Sequence, residues 1–156
     1  MSRKLEDLIP ILAIKATELI KKAREQEIDV LITSTWRSFA EQQALYDQGR
    51  TQPGRVVTWA KPGQSYHNYG LAFDFVPVVE GTPDWETEKT FVTIGQIAED
   101  MRMQWGGRWP GVKRDLPHIQ MSFGFSLTEL QSFYKIGGIA KVWEECNLKY
   151  EKGIWP

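Results

Sequence analysis

Two histidines are present among the 156 residues of the chain, and each lies in a segment with other polar side chains. The first, His67, belongs to SYHNYGLAFD (residues 65–74), which ends on Asp74, and the second, His118, belongs to RDLPHIQM. Two imidazoles and one carboxylate form the ligand set of a catalytic zinc ion that keeps one coordination position open for water. These residue types therefore predict a metal site that activates water against a carbonyl group.

His67 and Asp74 cannot both reach one ion from a regular helix or strand. On a strand their odd spacing puts them on opposite faces, and on a helix two turns separate them by about 10 Å along the axis. Asn68, Tyr69 and Gly70 lie between them, and a turn that contains glycine could fold His67 back beside a strand that carries Asp74. A tight turn in this segment is therefore a requirement of the metal hypothesis.

His118 follows a proline, and an aspartate precedes it by three residues. Pro117 disfavours helical geometry at Leu116, so His118 would enter a strand from which its ring can point at a site. Across a non-helical turn, the carboxylate of Asp115 would lie near the attacking water without being a metal ligand. We therefore predict that Asp115 is the general base.

Each of these residues also has a purely structural interpretation. A single histidine beside apolar residues is usually hydrogen-bonded within the protein, and an aspartate such as Asp115 is usually a solvated turn residue. Asp74 is harder to explain in this way, because an unpaired carboxylate in an apolar strand is costly and needs a partner or a metal. A structural domain with two incidental histidines is thus an alternative, and the conjunction of the two segments favours the metal site.

The composition is typical of one globular domain. Apolar residues make up 42% of the chain and charged residues 25%, which argues against disordered and fibrous classes. The formal net charge of −1 and the scattered lysines and arginines lack the basic footprint of a nucleic-acid binder. Cys146 is the only cysteine, so an intramolecular disulfide and a cysteine-based zinc site are excluded. No segment has the apolar run of a signal peptide or a membrane span, and we expect a monomer.

Predicted helices and strands interleave without a strict strand-helix-strand rhythm. Helical apolar spacing and two capping boxes, Ser38 with Glu41 and Ser126 with Glu129, indicate four helices. The predicted helices are residues 5–23, 39–48, 87–103 and 126–134, and the predicted strands are residues 29–34, 71–79 and 118–123, with a candidate edge strand at 56–60. These elements predict an α+β fold with a small, mainly antiparallel sheet and flanking helices.

A pair of glycines at residues 137–138 follows the last predicted helix. We expect this pair to divide the chain into a catalytic domain, residues 1–137, and a short C-terminal tail, residues 138–156. The tail is a candidate for a further helix, and Trp143 and Trp155 would pack it back onto the domain.

The two histidine segments, taken together, resemble a known family. SYHNYGLAFD fits the pattern Ser-x-His-x-x-Gly-x-Ala-x-Asp, and DLPH fits Asp-x-Pro-His, in the right order and at the right separation. With WGG at residues 105–107 and STWRSFAEQQALY at residues 34–46, the chain is similar to the zinc peptidases of the D-alanyl-D-alanine carboxypeptidase family. Within that family it most resembles the L-alanyl-D-glutamate endopeptidases of bacterial cell-wall hydrolases and phage endolysins, over about residues 30–125.

This resemblance implies the hedgehog/D-Ala-D-Ala peptidase-like fold and a role for each motif residue. His67, Asp74 and His118 would bind Zn²⁺, and Asp115 would be the catalytic base. The family's arginine falls on Arg37, whose guanidinium would stabilise the oxyanion or hold a substrate carboxylate.

Two further residues are predicted to contact substrate. Ser65 resembles the serine of the motif and would hydrogen-bond substrate or shape the loop. Trp105 is one of several aromatic residues beside the motifs, for which stacking on sugar or peptide is the functional interpretation and packing the structural one. Arg108 stands where related sequences commonly have an acidic residue after Trp-Gly-Gly, and this departure bears on subsite preference near the expected cleft.

The activity implied by the resemblance is cleavage of peptidoglycan stem peptides, at the bond between L-alanine and D-glutamate. D,D- or L,D-carboxypeptidase activity on the same peptides is an alternative, and so is a non-catalytic, zinc-stabilised domain that binds the wall. The protein would act on the cell wall, as a phage lysin released through a holin pore or as a secreted bacterial enzyme without its leader. The tail is too short for an ordinary wall-anchoring domain, so we expect such a domain to be either absent or lost.

Overall fold

The computed structural model describes residues 1–153, which form one antiparallel sheet with helices around it. The helices are α1 (Pro10–Glu25), α2 (Phe39–Asp47), α3 (Glu88–Asp100) and α4 (Leu127–Glu151), and the strands are β1 (Asp29–Ser34), β2 (Ala72–Val79), β3 (Thr82–Pro83), β4 (Gln104–Trp105) and β5 (His118–Gln120). The strand order is β1-β2-β5-β4, with β3 paired to β2, and every pairing is antiparallel. The predicted α+β fold is therefore confirmed. Among the helices of residues 1–153, none is long and apolar enough to cross a membrane.

The central strand β2 carries the core of the molecule. Phe73 and Phe75 are fully buried on one of its faces, and Ala72 and Val76 are fully buried on the other. Helices α1 and α3 pack against each other and against the sheet, which covers these apolar side chains. Asp74 thus projects from a strand whose neighbouring residues fix its position on both sides.

The predicted capping boxes start two of the helices. The hydroxyl of Ser38 accepts a hydrogen bond from Glu41 N at 3.1 Å, and the Glu41 carboxylate accepts one from Ser38 N at 2.8 Å. The same reciprocal pair starts α4. The first helix differs from the prediction, because a short 3₁₀ turn at Leu5–Asp7 precedes it and α1 begins at Pro10. Proline suits the first helical position, where its missing N–H has no intrahelical partner to lose.

The candidate edge strand at residues 56–60 was a wrong prediction, since this segment has no regular secondary structure. Long side chains from α2 and the loop itself bind its carbonyl groups in place of a neighbouring strand. Gln42 donates to the Ala60 carbonyl at 2.8 Å, and Arg50 donates to the Thr58 carbonyl at 3.0 Å. The composition of VVTWA indicated a strand, but these side-chain hydrogen bonds satisfy part of the backbone without one.

The glycines at residues 137–138 interrupt α4 with non-helical backbone, and the chain is helical again beyond them. In this last segment Cys146 is fully buried, and Trp143 donates its indole N–H to the Tyr69 carbonyl at 2.8 Å. The segment therefore packs on the domain, close to the turn that carries the first histidine. Trp155 lies outside the described residues.

Candidate metal centre and cleft

The segment before β2 forms the tight turn that the metal hypothesis requires. Residues Tyr66–Tyr69 make one 3₁₀ turn, which ends at Gly70 in the left-handed conformation (φ 67°, ψ 27°). A Cβ at Gly70 would also lie 2.9 Å from the Asp7 carbonyl oxygen, so glycine suits the position for both conformation and space. The turn folds His67 back until its Nε2 lies 3.2 Å from Asp74 Oδ1.

The sheet brings in the second histidine. Asp74 of β2 and His118 of β5 are direct partners across the antiparallel pair, so their side chains project from the same face. His118 Nδ1 lies 3.1 Å from Asp74 Oδ1. One potential ligand atom from each of His67, Asp74 and His118 lies within 4.8 Å of the others. The structure thus brings the three predicted ligands together.

Hydrogen bonds determine which nitrogen of each imidazole faces Asp74. His67 Nδ1 lies 2.7 Å from the Thr35 carbonyl oxygen, which can only accept, so Nδ1 carries the hydrogen. His118 Nε2 donates in the same way to the side-chain oxygen of Gln120 at 2.8 Å. In the neutral rings, the other nitrogens are bare acceptors that face a carboxylate oxygen. This donor set fits a cation, with each ring oriented by a protein acceptor behind it.

The three groups also shift one another's ionisation. Burial would raise the pKa of the Asp74 carboxyl, but the two imidazoles outweigh it and hold that pKa well below its usual range. Burial would lower the pKa of His118, and the hydrogen bond and charge of Asp74 outweigh this and raise it. Asp74 is therefore ionised, as a metal-binding carboxylate must be.

Asp115 reaches the site from the loop between β4 and β5. Its backbone N–H donates to the Gly106 carbonyl at 3.0 Å, and its own carbonyl accepts from His118 N at 3.3 Å. A Cβ at Gly106 would lie 2.5 Å from the Asp115 carbonyl oxygen, which explains why glycine follows the tryptophan there. Burial raises the pKa of the Asp115 carboxyl, with nearby His118 opposing the shift and Asp74 adding to it.

Trp105 is a buried support for this loop. Its side chain belongs to the core with 3% exposure, and its indole N–H donates to the Leu116 carbonyl at 2.8 Å. The ring packs so closely on Gly95 and Gly107 that a Cβ at either glycine would lie 2.1 Å from it. The substrate contact predicted for Trp105 stays a prediction, whereas the structure shows it holding the segment that leads to Asp115.

Arg37 lies on the other side of the ligands. Its backbone N–H donates to the His67 carbonyl at 3.1 Å, and Nη2 of its guanidinium lies 3.8 Å from Asp74 Oδ2. Burial lowers the pKa of Arg37, and the carboxylate of Asp74 counteracts this. Nη1 donates to the side-chain oxygen of Gln42 at 3.0 Å, and the same amide donates to the Ala60 carbonyl at 2.8 Å. A fully buried glutamine thus joins the arginine to the loop before the turn.

Sequence reasoning missed the two glutamines that orient site residues. Gln42 is the buried residue of α2, and an uncharged polar side chain at a core position was the available signal. Gln120, which accepts from His118, lies two residues after it and therefore on the same face of β5. Gln120 in turn donates to Gln104 of β4 at 3.3 Å. Strand periodicity could have identified Gln120 as the partner of the histidine ring.

A cleft of about 1420 Å³ opens onto these groups. It is larger than the roughly 300–1,000 Å³ typical of small-molecule sites. Ser65, Arg37 and Asp115 line it together with the three potential ligands. Its walls include residues 55–60, which have no regular secondary structure, and residues 112–115, which begin in a 3₁₀ turn at Gly111–Lys113.

Arg108 points away from this cleft. Its guanidinium donates to the Glu99 carboxylate of α3 at 3.0 to 3.2 Å and to Gln96 at 3.1 Å. The prediction that this residue reverses a charge near the cleft was therefore wrong. Arg108 is the last residue of the 3₁₀ turn Gly106–Arg108, which packs against α3.

Residues 6–126, a span that contains every site residue described above, match the family VanY, D-alanyl-D-alanine carboxypeptidase. The chain belongs to the D-alanyl-D-alanine carboxypeptidase family. It is 42% identical over 124 residues to the peptidoglycan L-alanyl-D-glutamate endopeptidase CwlK of Bacillus subtilis, which covers 74% of each chain. It is also 33% identical over 113 residues to the L-alanyl-D-glutamate peptidase of Listeria phage A118, which covers 69% of this chain and 36% of the phage protein.

A protein of known structure shares the fold. The crystal structure of the Serratia marcescens L-Ala D-Glu endopeptidase ChiX matches with a TM-score of 0.54 at 24% sequence identity, and the match covers 76% of this chain and 84% of ChiX. The VanY match ends at residue 126, so α4 lies beyond the part that the family shares.

Proposed function

We propose that the protein is a zinc-dependent endopeptidase that cleaves the bond between L-alanine and D-glutamate in peptidoglycan stem peptides. The observation that carries this proposal is the meeting of two imidazole nitrogens and the Asp74 carboxylate, with Asp115 and Arg37 on the same cleft. The choice of bond is supported by the 42% identity to CwlK, whose name gives that specificity.

The site residues divide the reaction between them. His67 Nε2, the Asp74 carboxylate and His118 Nδ1 would hold zinc, which as a Lewis acid polarises the scissile carbonyl and makes water more acidic. Asp115 takes a proton from the water while the water oxygen forms a bond to the carbonyl carbon of L-alanine. Asp115 then returns the proton to the nitrogen of D-glutamate as the C–N bond breaks. Its raised pKa suits a group that must hold a proton between these steps.

Arg37 would stabilise the negative charge that develops on the carbonyl oxygen, or hold a carboxylate of the stem. The guanidinium is already oriented by Gln42 and held near Asp74, so little reorganisation accompanies the reaction. Further cations line the cleft at Arg55, Lys113 and Arg114. A stem peptide carries several carboxylates, and these side chains give the cleft the complementary charge.

Mass spectrometry of digested muropeptides tests the proposed bond and its rivals. A new D-glutamate amino terminus is the expected product, whereas loss of a terminal D-alanine would indicate carboxypeptidase activity. Binding to the wall without release of amino groups would indicate a non-catalytic domain. Plasma mass spectrometry of the same preparation measures zinc, with about one ion per chain expected.

The protein is further proposed to act on the cell wall as a monomer. All the side chains assigned to the site come from one chain, so the chemistry requires no second copy. Light scattering coupled to size-exclusion chromatography should give a mass near 18.0 kDa. A dimer with full activity would contradict the proposed monomeric state and would leave the proposed cleavage site, between L-alanine and D-glutamate, unaffected.

A further inference from the structure

We propose that the loop of residues 48–64, here called the Trp59 loop, carries a subsite for the glycan strand of peptidoglycan. In this subsite Trp59 is the platform on which a sugar ring stacks. The inference rests on the proposed function and extends it to the part of the substrate that lies beyond the cleaved bond. In peptidoglycan the L-alanine is attached through a lactyl group to muramic acid. When the bond after L-alanine lies at Asp115, a sugar therefore lies one residue away, against the same cleft.

The cleft has an exposed apolar wall on the side of this loop. Trp59 lines it with 70% of its surface exposed, and Val57 beside it is 50% exposed. Trp85 and Val112, also at the cleft, are 53% and 87% exposed. Single exposed apolar residues are ordinary, but several around one cleft form a patch of the kind that binds a ligand.

Arg50 lies beside the indole of Trp59 and binds the backbone next to it. The guanidinium of Arg50 lies 3.9 Å from the ring centre of Tyr46 and 5.4 Å from that of Trp59. Arg50 also donates to the carbonyl of Thr58, the residue before the tryptophan, at 3.0 Å. An indole has only two side-chain torsions, so it loses little conformational freedom on binding, which favours affinity.

The chemistry of this wall matches a sugar. One face of a pyranose ring presents C–H groups, which pack against the flat, electron-rich face of an indole. Thr58 and Gln64 line the same cleft and offer neutral groups for hydroxyl and acetamido substituents. Cations that suit the carboxylates of the stem line the cleft at Lys113 and Arg114, and at Arg55 of the Trp59 loop. We therefore assign the sugar to the indole of Trp59 and the remainder of the stem to these cations.

The test compares two ligands that differ only in the sugar. One is the stem peptide D-lactoyl-L-Ala-D-Glu-Lys, whose alanine nitrogen is an amide as in peptidoglycan, and the other is the same peptide attached through that lactyl group to the N-acetylglucosamine–N-acetylmuramic acid disaccharide. Isothermal titration calorimetry on the zinc-loaded Asp115→Asn protein measures both dissociation constants without turnover. The disaccharide is expected to tighten binding about tenfold, the size of effect that one aromatic contact gives. In Asp115→Asn/Trp59→Ala the ratio of the two constants should fall to about one.

Two control variants separate stacking from a change in the fold. Trp59→Phe, which keeps an aromatic platform, should retain most of the ratio, and so should Trp36→Ala, which removes a half-exposed tryptophan outside the cleft. Equal binding of the two ligands by Asp115→Asn, a ratio that survives Trp59→Ala, or no binding of either ligand would overturn the glycan subsite. Failure of the proposed function would appear separately, as intact muropeptides after incubation with the unaltered enzyme.

Discussion

The metal centre and the Trp59 loop lie on one cleft and are held by different kinds of contact. Asp74 and His118 are partners in the β2–β5 ladder, so backbone hydrogen bonds of the sheet fix their spacing. Residues 55–61 of the loop have no regular secondary structure, and side chains of Gln42 and Arg50 hold their carbonyl groups. The positions of Asp74 and His118 therefore depend on the core, whereas the cleft wall formed by the Trp59 loop can change through substitutions in that loop.

Gln42 joins the two regions. Its amide accepts from the guanidinium of Arg37 and donates to Ala60, so one buried side chain connects the reacting end of the cleft with its wall. A change in the loop would reach the metal centre through this contact. Substitutions should therefore reduce activity most at the candidate metal ligands, less at Gln42 and least outside both regions.

The largest effect is expected for Asp74→Ala. The substitution removes the one carboxylate that both imidazoles face, so zinc should fall from about one ion per chain to none, and lysis of cell walls should become undetectable. Plasma mass spectrometry and a turbidity assay measure the two quantities. Asp100→Ala, at an exposed aspartate of α3, is the matched control and should keep both. Lytic activity in Asp74→Ala would refute the assignment of Asp74 as a ligand.

Asp115→Asn should separate metal binding from turnover. Asparagine keeps the size of the side chain and cannot take a proton, so kcat is expected to fall by about 10²–10⁴ while the zinc content stays unchanged. Release of new amino groups from muropeptides gives the rate, and plasma mass spectrometry gives the metal. If zinc were lost together with activity, Asp115 would be a metal ligand and another group would be the base.

Much of the grouping of His67, Asp74 and His118 could be predicted from sequence alone, because the information for it is largely local. His67, Gly70 and Asp74 lie in one segment, and the required turn follows from the failure of regular geometry to bring the first and last of them together. Pro117 indicated the strand that carries His118. The cross-strand register that pairs Asp74 with His118 is a long-range property, and no local pattern in either segment specifies it.

The walls of the cleft were predicted less well. Residues 56–60 have the composition of a strand, and whether they form one depends on an edge with which to pair. The structure provides Gln42 and Arg50 as hydrogen-bond partners instead. Arg108 was misplaced for a related reason, because the direction of a side chain after two glycines depends on the turn that they adopt.

An intermediate effect is expected for substitutions of Gln42, which contacts both regions. Gln42→Leu leaves a guanidinium N–H of Arg37 and the Ala60 carbonyl without their partner, which should lower the free energy of unfolding by about 1–3 kcal/mol. Urea unfolding measures this change, and kcat/KM on muropeptides should fall about tenfold if Arg37 loses its orientation. Gln42→Glu still accepts from Arg37 but cannot donate to Ala60. Gln42→Glu should therefore recover more activity than stability. Equal loss of activity in Gln42→Leu and Gln42→Glu would show that activity does not depend on the hydrogen bond from Arg37 to residue 42.

The smallest effect is expected for Arg108→Ala, which tests where the wall of the cleft ends. Arg108 is exposed and pairs with Glu99 on α3, and screening by water makes such surface pairs weak, so kcat/KM on muropeptides should change by less than about twofold. Lys113→Ala is the matched comparison, because it removes a cation of the same connection between β4 and β5 that lines the cleft. Its KM should rise, and more steeply at low salt, since it removes an attraction for stem carboxylates. A larger loss for Arg108→Ala than for Lys113→Ala would mean that substrate extends past the cleft towards α3.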